Sequence, residues 1–204
     1  MSRSNKIPFP RGKTAFAGQA ASDFDTSSLA HLEGQIVYLP DIDPAGDGKT
    51  RRSNADIVAK VVRNRHSTVL LPGVSCSWLT AEWGKSVEIN TTANTYIAGF
   101  VDDHVHATNG VPVNDLFYLI IKGPCTAAAK TSGVATAGGL YKQGGMVYQS
   151  SEAGHIEGFT NDYGNLLNDA DVTGVPAYNA AGRFSIDTAA VSGITTALID
   201  VDTE

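Results

Sequence analysis

The clearest hydrophobic segment lies within residues 111–123, where the apolar run Phe117–Ile121 stands between Asn-Asp and Gly-Pro turn signals. A continuous apolar run of this length is typical of a strand that is buried on both faces. Near the end of the chain, residues 195–202 alternate instead, with Ala197, Ile199 and Val201 on one face. Because side chains alternate between the two faces of a strand, we predict a closing strand that buries these three residues.

Two earlier segments also predict strands. Residues 34–40 form a compact β-branched run that ends at Pro40, which we interpret as a first strand ended by the proline. Within residues 53–71, the apolar positions fit a helical stripe capped by Asn54 and fit a strand equally well. We favour the strand because β-branched residues are dense, and the helix remains an alternative.

Turn residues separate these segments throughout the chain. Glycines recur every five to ten residues between short alternating runs from 126 to 159, and residues 161–182 form an Asn/Asp/Gly-rich loop. This spacing is typical of a compact barrel or sandwich. The predicted fold class is therefore all-β, a Gly-rich β-barrel or β-sandwich, with the choice between the two left open.

The first 34 residues differ from the rest. They contain Pro8, Pro10, Gly12 and Gly18 and show no sustained period, so we predict an extended N-terminal arm with a short helical turn around residues 26–31. Residues 35–204 would then form the β body. An alternative division of this body has two β subregions that meet near residues 110–125.

Charge is unevenly distributed along the 204 residues, whose 15 Lys+Arg and 21 Asp+Glu give a net charge of −6. Residues 1–66 hold 10 basic and 7 acidic residues, whereas residues 67–204 hold 5 and 14. This pattern predicts a basic arm on an acidic body. The basic segment 51–66 has no aromatic residue, so we expect no direct binding of nucleic acid. No segment approaches the 18 apolar residues of a membrane span, and the N-terminus lacks the apolar core of a signal peptide.

The strongest candidate for chemistry is segment 97–110, IAGFVDDHVHATNG, which resembles the first metal-binding strand of amidohydrolase barrels. If the segment is extended, Asp102, His104 and His106 share one face. However, a (β/α)₈ barrel needs about 200 residues or more, and the 98 residues after His106 lack alternating helices. We therefore predict surface histidines, with no metal site and no cofactor.

The chain also lacks other catalytic motifs. It has no phosphate-binding G-x-x-x-x-G-K-[ST] loop and no G-x-S-x-G elbow, so we predict no catalytic residue. Cys76 and Cys125 have no partner at metal-ligand spacing, and we interpret them as small core residues. Their spacing leaves open whether they form a disulfide.

Residues 111–159, VPVNDLFYLIIKGPCTAAAKTSGVATAGGLYKQGGMVYQSSEAGHIEGF, resemble the small β-barrel capsid decoration (cement) proteins of tailed bacteriophages and prophages. The shared features are an apolar strand ending in Lys-Gly-Pro, an Ala/Thr/Gly segment with a Gly-Gly turn, and short strands separated by Ala-Gly. Residues 181–202, AGRFSIDTAAVSGITTALIDVD, are similar to the closing strands of that group.

The resemblance implies a non-enzymatic virion protein, made in the host cytoplasm, that binds the outer capsid surface and bridges capsomers. Its expected partner is the major capsid protein, and it would be a dimer or trimer on the shell. The arm would supply cationic and apolar contacts, namely Arg3, Lys6, Ile7, Phe9, Arg11, Lys13 and Phe16. The alternatives are a small metal-dependent hydrolase that uses His104 and His106, or a structural protein of a phage tail or fibre.

Overall fold

The computed structural model describes residues 7–43, 50–91, 96–129, 147–149, 152–158, 182–184 and 196–203. Within these ranges the regular structure consists of strands and three 3₁₀ turns, Ala21–Asp23, Ala30–Leu32 and Thr80–Glu82. The strands are β1 (Ile36–Ile42), β2 (Arg51–Asn64), β3 (Ser75–Trp78), β4 (Ser86–Ile89), β5 (Gly99–Val101), β6 (Leu116–Ala128), β7 (Val147–Gln149), β8 (Ile156–Gly158), β9 (Gly182–Phe184) and β10 (Thr196–Asp202). The predicted all-β class is confirmed.

Two long strands, β2 and β6, organise the sheet. They pair with each other antiparallel, and a second route connects them through β4, β3 and β5, so that five strands form a closed circuit. Within this circuit only the β2–β4 pair is parallel. Strand β1 adds to β2 outside the circuit, β10 and then β9 add to β6, and β7 pairs with β8 separately.

The side chains of β6 divide between two hydrophobic clusters. Phe117, Leu119 and Ile121 belong to an inner cluster to which all five strands of the circuit contribute. Leu116, Tyr118 and Ile120 belong to an outer cluster, which β1, β10 and the arm cover. The prediction of a strand buried on both faces is therefore confirmed.

Two of the other strand predictions are confirmed and one is wrong. Residues 53–64 lie in β2, so the favoured strand is confirmed over the helix. Ile199 and Val201 of β10 are buried as predicted, and the predicted burial of Ala197 falls outside the described side chains. The prediction that Pro40 ends the first strand is wrong, because β1 continues to Ile42. An edge strand tolerates proline, since an N–H facing outward from the sheet is not needed for pairing. The turn-rich segments 130–146 and 159–181 lie outside the described residues.

Residues 7–34, the described part of the segment that we predict to be an arm, lie against the strands, and we keep the names arm and body for the two predicted parts. The Ala15 N–H donates to the Leu116 carbonyl at 3.0 Å, and the predicted helical turn corresponds to the 3₁₀ turn Ala30–Leu32. Cys76 and Cys125 are free thiols and fully buried, which confirms them as core residues. Among the described residues, no helix has the length and apolar character needed to cross a membrane.

Candidate functional site

The arm is attached to the body first through Phe9. Its ring stacks on Tyr118, with the ring centroids 4.4 Å apart. The Tyr118 hydroxyl donates to the Phe9 carbonyl at 2.6 Å and accepts from the Phe9 N–H at 3.3 Å. Burial raises the pKa of Tyr118 to about 12, so the hydroxyl keeps its proton at neutral pH. One side chain thus satisfies both backbone groups of Phe9.

Arg11 makes the second attachment. Its Nε donates to Asp102 Oδ1 at 3.1 Å, its Nη2 to Asp103 Oδ1 at 3.1 Å, and its Nη1 to the Pro40 carbonyl at 2.7 Å. The Arg11 side chain is 10% exposed, and those of Asp102 and Asp103 are 1% and 3% exposed. Arginine suits such a site because its planar group makes several directed hydrogen bonds at once.

A second arginine joins the same group of charges. Arg52 Nη2 lies 2.8 Å from Asp41 Oδ1, and Arg52 Nη1 lies 3.5 Å from Asp103 Oδ2. We call Arg11, Asp41, Arg52, Asp102 and Asp103 the buried charge cluster. Its formal charges are two positive and three negative when all five groups are ionised.

Burial in this cluster changes the pKa of Asp102. Burial raises the pKa of this carboxyl group, and the neighbouring Arg11 charge opposes that shift. Among the described residues, Asp102 Oδ2 is buried and has no hydrogen-bond partner. Arg11 is therefore the main group that opposes the effect of burial on the pKa of Asp102.

The structure does not place Asp102, His104 and His106 on one strand face, because the segment is not extended. Strand β5 ends at Val101, and residues 103–104 and 107–109 are turns. The Asp102 carboxylate accepts the His104 N–H at 3.3 Å, a local bond that competes with an extended backbone.

The two histidine rings also face different partners. The prediction of a surface position is wrong for His104, whose side chain is only 14% exposed and whose Nε2 lies 2.8 Å from the Ile42 carbonyl oxygen. His106 is exposed, and its Nδ1 accepts the N–H groups of Thr108 and Asn109 at 3.2 Å. Within the described ranges, no group of three potential ligands is placed to hold a metal ion.

Two further attachments hold the later part of the arm. The Phe16 N–H donates to Asp115 Oδ1 at 2.9 Å, and the Phe16 ring stacks on Phe24 with centroids 4.6 Å apart. Arg63, which is 1% exposed, donates through Nε to Glu33 Oε1 at 2.6 Å and through Nη2 to the Thr26 carbonyl at 3.0 Å.

The body residues that hold the arm carry almost no signal in the sequence. The one available signal is Arg63, a charge directly after the apolar pair Val61-Val62 in a predicted strand. A charged residue in such a run requires a buried partner.

The arm residues predicted to bind a partner fall into three groups. Phe9, Arg11 and Phe16 are buried or largely buried and contact the chain's own body or arm. Ile7 is 40% exposed and Lys13 is exposed. Arg3 and Lys6 lie outside the described residues. A partner-binding role for all seven remains a prediction.

Comparison with known proteins gives one structural resemblance. No protein-family model and no curated protein matches the sequence. A chain from a solved structure described as the capsid of Myoviridae phage XM1 aligns with 17% identity and a TM-score of 0.40, covering 78% of this chain and 98% of the other.

Proposed function

We propose that this chain is a structural virion protein that binds the outer surface of a phage capsid, contacts the major capsid protein and stabilises the shell by bridging capsomers. The observation that carries the proposal is the anchored arm. Phe9, Arg11 and Phe16 hold it on the body, while Ile7 and Lys13 of the same segment are exposed. An arm held in one conformation loses little conformational entropy when its exposed side chains bind another surface.

The polar chemistry of the described residues supports a non-enzymatic role. The buried charge cluster joins the arm to the ends of β1, β2 and β5, so its arginines and carboxylates already serve packing. His104 and His106 face separate backbone groups. Nothing in this geometry favours the hydrolase alternative.

The pairing of arginines supports the prediction that nucleic acid is not a direct partner. The four arginines in residues 51–66 all contact acidic side chains: Arg51 with Asp56, Arg52 with Asp41, Arg63 with Glu33, and Arg65 with Glu82. Cations already paired within the protein contribute less to phosphate binding, which depends on Lys and Arg neutralising phosphate charges.

A co-sedimentation assay with purified capsids from the phage or prophage that encodes the chain tests the proposal. Ile7→Asp and Lys13→Glu change only exposed side chains, so we expect the double variant to fold normally and to lose capsid binding. Lys122→Glu is the matched control, because Lys122 is 54% exposed and lies on β6. Unchanged binding of the arm variant would overturn the role of the arm.

Copy number in purified particles tests the wider assignment. A decoration protein is present in hundreds of copies, whereas a tail or vertex protein is present in a handful. Finding no copies in the particle would contradict a virion role altogether.

A further inference from the structure

A group of aromatic and apolar side chains lies at the surface beside the inner cluster. Trp83 is 64% exposed and its ring centroid lies 6.2 Å from that of Trp78. Lys60 Nζ lies 5.1 Å from the centroid of the Trp78 ring. Ile36, which is 46% exposed, pairs directly with Lys60 between β1 and β2, so their side chains are neighbours on one face. We call Ile36, Lys60, Trp78 and Trp83 the aromatic patch.

The backbone around Trp83 is held firmly in place. The 3₁₀ turn Thr80–Glu82 precedes it and Gly84, with φ of 77°, follows it. The Leu79 N–H donates to the Ser86 carbonyl at 3.0 Å, and the Lys85 N–H donates to the Glu82 carbonyl at 3.0 Å. A tryptophan fixed in this exposed position is typical of the central residue of a protein interface.

The charges around the patch indicate which surface fits it. Lys60 and Lys85 take part in none of the ion pairs formed among the described residues, and Lys85 is exposed. The surface that covers Trp83 should therefore carry carboxylates.

The chain presents such carboxylates nearby. Asp23 and Asp25 are exposed on the arm, and neither is in an ion pair among the described residues. The loop that carries them is attached to the end of β2, where Arg63 Nη2 donates to the Thr26 carbonyl at 3.0 Å. The start of β1 reaches the Trp83 turn, since a Cβ added to Gly34 would lie 3.4 Å from the Gly84 carbonyl oxygen.

We propose that the aromatic patch is a self-association surface, on which Trp83, Lys60 and Lys85 of one copy pack against Asp23 and Asp25 of a second copy. The basic half of each copy (Lys60, Trp83 and Lys85) then faces the acidic half (Asp23 and Asp25) of the other. A two-fold axis makes this contact twice, as an isologous dimer requires. The proposal rests on the proposed virion role, and it specifies as a dimer the dimer or trimer that the sequence resemblance implies. Its test uses the purified full chain without capsids, so its failure would leave capsid binding untouched.

Sedimentation velocity over a range of protein concentrations provides the first test. We expect a reversible monomer–dimer equilibrium that weakens as salt is added, and an association constant at least about tenfold lower for Trp83→Ala. Leu71→Ala is the matched control, because Leu71 is an exposed apolar residue outside the patch, 45% exposed. A wild-type protein that stays monomeric at all concentrations, or equal association of both variants, would overturn the proposal.

Charge exchange between two variants provides the second test. Lys60→Glu with Lys85→Glu gives a copy whose two halves are both acidic, and Asp23→Lys with Asp25→Lys gives a copy whose two halves are both basic. We expect each variant alone to stay monomeric and the mixture to form a one-to-one dimer. Restored association shows that both variants are folded, whereas a mixture that remains monomeric contradicts the assigned contact.

Discussion

Gly12 lies directly against the backbone of His104. A Cβ added to Gly12 would stand 2.6 Å from the His104 carbonyl oxygen, closer than any side-chain carbon normally approaches. Gly12 also has φ of 74°, a left-handed conformation that favours glycine. The contact joins the arm to the turn that follows β5, next to the buried charge cluster, so this glycine decides how closely the arm can approach the body.

We therefore expect Gly12→Ala to displace the arm. Gly18 provides the control, because its φ of 91° is similar but a Cβ there meets no atom within 4 Å. Gly18→Ala should cost only the left-handed conformation, about 1–2 kcal/mol of unfolding free energy. Gly12→Ala should cost a further 1–3 kcal/mol, roughly, from the backbone clash. Urea unfolding measures both, and equal losses would contradict the tight seat of the arm.

The Tyr118 hydroxyl gives a second prediction. Tyr118→Phe keeps the ring that stacks on Phe9 but leaves both backbone groups of Phe9 without their partner. A buried polar group without a hydrogen bond costs about 1–3 kcal/mol, so we expect a loss of unfolding free energy in that range. Hydrogen exchange at the Phe9 amide should accelerate as well. Unchanged exchange at this amide would show that the hydroxyl does not hold the arm.

These attachments mark the limit of what the sequence predicts. Strands β6 and β10 were predictable because a continuous apolar run and a period of two are local patterns. The arm attachments connect residues far apart in the chain, such as Phe9 with Tyr118 and Arg11 with Asp102. The arm is rich in proline, glycine and basic residues and has no hydrophobic period. This composition is the same whether an arm is solvated or packed against a body.

The segment after β5 shows a different limit. Alternation predicts that Asp102 and His104 share a strand face, but the carboxylate of Asp102 accepts the His104 N–H and the chain turns. An aspartate can accept a nearby backbone N–H in a turn or stand in an extended strand, so its presence does not distinguish the two conformations. Asp102 is buried where it pairs with Arg11 of the arm, and no local sequence pattern indicates this pairing.

The two histidines provide a third prediction. His104→Ala removes the contact between Nε2 and the Ile42 carbonyl, so we expect a loss of about 0.5–1.5 kcal/mol of unfolding free energy. His106→Ala is the comparison at an exposed ring, where water can replace the bonds from the Thr108 and Asn109 N–H groups, so we expect a smaller loss. Elemental analysis of all three purified proteins should find no stoichiometric transition metal. A metal present in the wild type and lost in both variants would instead support the hydrolase alternative.

The thiols provide a fourth prediction. Burial raises the pKa of both Cys76 and Cys125, so the reactive thiolate is rare as well as inaccessible. We expect neither thiol to react with a thiol-specific reagent in the native protein, and both to react after denaturation. A reducing agent should leave the unfolding free energy unchanged, since both cysteines are free. Rapid labelling of either native cysteine would contradict its position in the core.

The Arg11–Asp102 pair gives the most specific prediction, because its effect depends on pH. Arg11→Ala leaves two buried carboxylates without their main cation, and breaking a buried pair in this way costs about 3–5 kcal/mol. We expect this loss of unfolding free energy near neutral pH. Arg51→Ala is the control, because Arg51 and Asp56 form an exposed pair whose loss costs at most about 1 kcal/mol.

The sign of the pH dependence follows from the pKa of Asp102. Burial raises this pKa in the folded protein above its unfolded value, so the folded state binds the proton more tightly. The stability that Asp102 contributes is thus complete below the unfolded pKa and is lost as pH rises through the folded pKa. Removing Arg11 raises the folded pKa further, since the arginine charge lowers it. The deficit of Arg11→Ala relative to wild type should therefore shrink as pH falls through the folded pKa of Asp102. A deficit that stays constant across the pH range in which the protein folds would assign the effect of Arg11 to packing rather than charge.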